Sequence, residues 1–224
     1  MADEGTAQPD SETASRHAAV VAKGQDAGGQ PKAATLDEAA RQGGGGANPK
    51  HPHLFHLASA AGSSYEGGSL QGAIAANWSI LAGQQGSVYL ARLKPGGIRE
   101  PHWHPSAWEL NFVVSGEVRW SLVGPNGTHD AFEGGAGDLV FAPQGHFHYF
   151  ENASDTEELV VLIAFNASTS EPEDDIGIAA SVSALPADVL GAVFGAPPEV
   201  FAKLPRTTER VVIARKPGHE EDQT

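Results

Sequence analysis

Between Leu54 and Phe165 the chain is cut into short β-rich runs by glycine, proline, asparagine and aspartate, and this texture limits the fold more than anything else. The runs are SVYLARL at 87–93, LNFVVSG at 110–116, EVRWSLV at 117–123, DLVFAP at 138–143 and ELVVLIAF at 158–165. They recur at close spacing, punctuated by PGG, SGE, GPNG and GGAGD. Many short strands in series make an all-β sandwich or small barrel. Gly116 before Glu117 and GPNG at 124–127 read as tight hairpin turns.

The flanks read differently. Residues 1–50, with GGGG at 43–46, are too poor in apolar side chains to offset chain entropy, so a disordered N-terminal tail is expected. Residues 51–169 form the barrel, and His51, His53 and His56 lie where the tail enters it. The stretch 170–206 begins with an acidic loop. It then holds ALPADVLGAVFG (184–195), with Pro186 as a start and Gly195 as a stop, and PPEVFAKL (197–204). These predict two short C-terminal helices, with Leu190, Val193 and Phe194 on one side and Val200, Phe201 and Leu204 following. Such faces either cover the barrel or join subunits, and a homo-oligomer through these helices is the expectation. Residues 207–224 complete the chain as a strand and tail.

Composition excludes several function classes. There is no cysteine, so disulfides, thiolate metal sites and cysteine nucleophiles are ruled out. A formal net charge of −14 argues against nucleic acid and against anionic membranes. The longest apolar run, LVVLIAF at 159–165, falls far short of the ~20 residues that span a bilayer. The N-terminus has neither a basic nor an apolar region of the secretory kind, so a cytoplasmic location is expected.

Two stretches carry the chemistry. PHWHPSAWE (101–109) sets His102 and His104 two apart, hence on one face of a strand, and Pro105 then breaks the strand so that Glu109 can return beside them. GDLVFAPQGHFHYFEN (137–152) offers His146 and His148. Imidazoles and carboxylates are costly to bury unless paired or ligated.

Together the stretches resemble the two motifs of the cupin superfamily. The first motif reads Gly96, His102, His104, Glu109 and Gly116, and the second reads Gly137, Pro143, Gly145, His148 and Asn152. The resemblance implies a cupin double-stranded β-helix (jelly-roll) barrel whose interior holds one metal on His102, His104, Glu109 and His148, with His146 a pocket neighbour. A sulfur-free N/O set of this kind suits Mn, Fe, Ni, Cu or Zn.

Within that superfamily RLKPGGIREPHWHPSAWE resembles the oxalate decarboxylases, which place an arginine three residues before the first metal histidine; Arg99 stands there, and Trp103 and the ending ALP…VL…VF…PPEVFAKLP…VVI also match. The resemblance implies Mn(II), with O2 as co-catalyst, and oxalate converted to formate and CO2, Arg99 clamping the substrate carboxylate. The alternatives are an oxalate oxidase or other cupin dioxygenase, and a non-catalytic carboxylate- or metal-binding cupin. Two departures stand out. Oxalate decarboxylases are mostly two-cupin chains, and this is one cupin. Their active half carries a mobile Ser-Glu-Asn-Ser lid whose glutamate moves the proton. Here SEPED (170–174) takes its place, with Pro172 at the glutamate position in an ungapped alignment, leaving Glu171 and Glu173 as the candidate acids.

Overall fold

The computed structural model describes residues 45–168, 170, 175–207 and 212–219. Fourteen strands occur among them: β1 (Gly46–Ala47), β2 (Phe55–His56), β3 (Gly62–Tyr65), β4 (Gly68–Ala73), β5 (Ser87–Leu93), β6 (Gly97–Trp103), β7 (Glu109–Ser115), β8 (Glu117–Val123), β9 (His129–Gly135), β10 (Leu139–Ala142), β11 (Phe147–Asn152), β12 (Leu159–Phe165), β13 (Ile176–Gly177) and β14 (Ile213–Arg215). Three helices follow β13: α1 (Ile178–Ser183), α2 (Ala187–Phe194) and α3 (Pro198–Ala202).

The strands form two six-stranded antiparallel layers. One runs β10-β7-β12-β5-β4-β3; the other runs β13-β6-β11-β8-β9, with β14 also paired to β6. This is the jelly-roll barrel that the cupin resemblance implies, within the all-β class that the run-and-turn texture predicts. The alternation in EVRWSLV works as a strand period should: Val118, Trp120 and Leu122 are buried and their neighbours face outward. Their side chains meet Leu93, Val113, Val161 and Ile163 of the opposite layer, with Phe150 stacked on Trp120 at a ring separation of 4.5 Å.

Two motif residues are explained by the fold alone. Gly116 turns the β7–β8 hairpin at φ +87°, and a Cβ there would lie 2.7 Å from the Glu158 carbonyl oxygen. The Asn152 amide nitrogen donates to the carbonyls of Leu93 at 2.9 Å and Glu157 at 2.7 Å, and its oxygen accepts from Ser154 N–H at 2.9 Å. One side chain thus ties β11 to β5 and shapes the turn into β12.

The flanks need adjustment. Gly46–Ala47 pairs with Phe55–His56, so a small ladder begins inside the stretch 1–50 assigned to a tail; residues 1–44 lie outside the described residues. Both expected C-terminal helices are present, and Gly195 ends α2 in the left-handed region at φ +64°. Their apolar side chains divide between barrel and surface. Leu190 turns inward and is buried, while Val193 and Phe194 are 74% and 65% exposed; Phe194 packs on Phe201 of α3 instead of on the barrel. No helix among the described residues is long and apolar enough to cross a membrane.

Asn152→Ala leaves two backbone carbonyls without their donor. It is expected to lower unfolding free energy by about 2 kcal/mol in chemical denaturation, with the bound-metal content of the folded protein unchanged.

Candidate metal centre

Each of the four ligand-type residues is placed by a different piece of strand. His102 near the end of β6 lies directly across from His148 near the start of β11. Glu109 opens β7 and is flanked by Ala142 of β10 and Phe165 of β12. His104 lies just past β6, its ring edge-on to Phe165 at 4.9 Å. The Gly145 N–H donates to the His104 carbonyl at 3.0 Å, so the turn that carries the second motif is bonded to the end of the first.

The side chains converge. His104 Nε2 and His148 Nε2 lie 3.0 Å and 3.1 Å from Glu109 Oε2, His102 Nε2 is 3.1 Å from His104 Nε2, and His102 Nε2 stands 3.9 Å from Glu109 Oε2. The ligand atoms of all four lie within 4.8 Å of one another, and all four residues are buried. His146 is outside this group. Its ring lies over Gly124, and only its backbone carbonyl takes part, accepting from His148 Nδ1 at 2.8 Å.

The donor set fits a divalent cation. A backbone carbonyl can only accept, so Nδ1 must carry the proton in His148 and in His102, whose Nδ1 donates to the Glu100 carbonyl at 2.5 Å. In the neutral rings the lone pairs are then at Nε2, facing the cluster centre, the arrangement that orients imidazoles for a metal. Burial, reinforced by the positive charge of Arg99, holds His102 well below the ordinary histidine value of 6.5 and so favours the neutral ring. For Glu109 burial alone would raise the pKa. The surrounding imidazoles, His148 foremost, outweigh it and hold the carboxyl well below 4.5. Glu109 Oε1 is buried without a hydrogen-bond partner among the described residues, a lone pair set that a cation would satisfy.

Arg99 shares this interior through a bulge. Side chains three apart on a regular strand face opposite ways. Here the register slips between the His148–His102 pair and the Phe150–Arg99 pair, so Glu100 and Pro101 together oppose one residue of β11. Arg99 therefore points inward, on the face that carries His102, and is only 1% exposed. Its guanidinium donates to Asp175 Oδ2 at 2.7 Å and to the Val212 carbonyl at 3.2 Å. Asp175 directly precedes β13, which is held on β6 by the Ile176–Trp103 and Gly177–His102 pairs. Sequence reasoning missed Asp175, because only the long-range pairing of β13 brings it to Arg99. Glu171 and Glu173 lie outside the described residues.

Residues 55–200 match the cupin family. A probable oxalate decarboxylase of Arthroderma benhamiae is 29% identical over 179 residues, covering 80% of this chain and 44% of that relative. Oxalate decarboxylase of Bacillus subtilis is 32% identical over 115 residues, covering 51% of this chain and 29% of the relative. A solved structure of the Bacillus subtilis enzyme, studied for its Mn(II) centres, superposes with a TM-score of 0.64 at 26% identity over 72% of this chain and 41% of that one. The chain thus spans less than half the length of these relatives.

Removing one imidazole breaks the cluster: His104→Ala is expected to lose bound metal, read by elemental analysis of the purified protein. The metal-free protein is expected to lose stability with acid. Unfolding frees His102 to take a proton below pH 6.5 that the folded state refuses, and below pH 4.5 the unfolded Glu109 does the same. Both effects have one sign, so urea midpoints should fall progressively as pH drops below 6.5, and bound metal should be released in the same direction.

Proposed function

The chain belongs to the cupin family, and from that premise we propose that it is a Mn(II)-dependent, oxalate decarboxylase-like enzyme that converts oxalate to formate and CO2 with O2 as co-catalyst. The observation that carries this reading is Arg99, buried beside the three-histidine, one-glutamate cluster with its charge inside the barrel. A site that only stored a metal has no use for a buried guanidinium there. A dicarboxylate that meets a cation with one end leaves its other carboxylate in need of a bidentate partner, and a guanidinium is the side chain shaped for it.

A bound metal with O2 would supply Lewis acidity toward one carboxylate and one-electron oxidising capacity that weakens the C–C bond. The protein's own groups do the rest. Arg99 holds the second carboxylate and stabilises charge as the bond breaks. Asp175 neutralises Arg99 when no substrate is present. Burial of His102, His104, Glu109 and His148 lowers the local dielectric, which strengthens the charge interactions at the site. The balance is oxalate plus one proton giving formate plus CO2: a C–C bond breaks and a C–H bond forms. The apolar β12 offers no acid, so the proton is assigned to Glu171 or Glu173, which precede Asp175 in sequence.

Mn-loaded protein supplied with oxalate and air is expected to release formate. Arg99→Lys replaces a two-point clamp by a point charge and should keep its metal while losing most turnover; unchanged kinetics would remove Arg99 from the reaction. Of Glu171→Gln and Glu173→Gln, one is expected to abolish formate with metal retained and to divert residual turnover to CO2 and peroxide. Formate at the parent rate from both would rule out a proton from this loop.

A further inference from the structure

Asn111 is a buried amide that the fold itself does not use. It lies on β7 two residues beyond Glu109, and the strand alternates, so Glu109, Asn111 and Val113 all face the barrel interior. Asn111 is 0% exposed. Its neighbours across the two flanking strands are Val140 and Ile163, which offer no polar side chain. Neither Nδ2 nor Oδ1 has a hydrogen-bond partner among the described residues. Asn152 shows the contrast, with its amide spent on three hydrogen bonds that shape the fold.

A buried amide with no partner costs stability, and for the fold alone an apolar residue of the same size would be better. The side chain sits about 6.7 Å along the strand from Glu109, on the wall next to the metal cluster. We propose that Asn111 is a ligand-contacting residue of this site: its Nδ2 donates to an oxygen of the small carboxylate held between the metal and Arg99. A neutral donor suits that place. The metal and Arg99 already supply positive charge, and an amide adds direction without a further cation. The contact rests on the function proposed above and extends it, since it gives the ligand a third point of attachment and selects for a carboxylate short enough to lie against the β7 wall.

The test is Asn111→Leu, near in size and apolar, in Mn-loaded protein kept free of O2 so that binding is read without turnover. Two results are expected together. Thermal unfolding without ligand should move upward, because the orphaned amide is gone, and calorimetric affinity for oxalate should fall by about tenfold, the worth of a hydrogen bond to a charged group. Asn111→Ala should weaken binding alike, which covers a failure of the leucine variant to fold. Lower stability of the ligand-free leucine variant would show that the amide serves the fold through water or protein, and affinity within twofold of the parent would show that it does not touch the ligand; either overturns the inference. If oxalate binds the parent but yields no formate, the assigned reaction fails, and the leucine variant still decides the role of Asn111.

Discussion

The burial of Glu109 among three histidines is the constraint on which the rest of this structure depends. A lone carboxylate in a β-barrel interior is strongly unfavourable, and here Oε2 lies where the Nε2 atoms of His102, His104 and His148 meet, a donor set that a divalent cation would complete. Those rings hold their aim because backbone carbonyls of Glu100 and His146 fix two of the Nδ1 protons. The ligands come from both layers of the barrel, so the cluster assembles only when β6 and β11 in one layer face β7 in the other. Packing of Trp120, Phe150, Val113 and Ile163 brings the layers together, and the polar cluster sits on that apolar floor.

The second structural device is the bulge in β6. Without it, Arg99 would face outward when His102 faces in. With it, a guanidinium and an imidazole three residues apart share one interior face. Inside, the charge must be balanced, and Asp175 supplies the balance at 2.7 Å. Since Asp175 is positioned by β13 on the end of β6, the segment from Asp175 onward is tied to the site by backbone pairing, by this ion pair and by Ala179 N–H donating to Glu100 Oε1 at 2.9 Å.

Much of this was legible in the sequence because spacing alone encodes it. His102, His104, Glu109 and His148 stand at fixed intervals from turn-forming glycines, and the runs 87–93, 117–123 and 158–165 alternate or cluster as strands must. Other parts were hidden for identifiable reasons. β9, HDAFEGG, is an edge strand that faces solvent, so it carries few of the apolar residues that mark a strand. β3 (GSSY) and β4 (GSLQGA) are rich in glycine and serine, which read as turn. The inward turn of Arg99 cannot be had from strand parity, although Pro101 inside the run was a sign of irregular pairing. Asn111 could have been found: in ELNFV it shares the parity of Glu109, but a polar residue in a strand is ordinarily assigned to the solvent face.

The most direct test of a metal centre on these four residues is anomalous scattering at the manganese edge from crystals of the protein loaded with Mn(II). One strong peak is expected inside the barrel, at bonding distance, about 2.0–2.3 Å, from Nε2 of His102, His104 and His148 and from a carboxylate oxygen of Glu109. A peak elsewhere, or an empty cluster with its four side chains still hydrogen-bonded to one another, would contradict it.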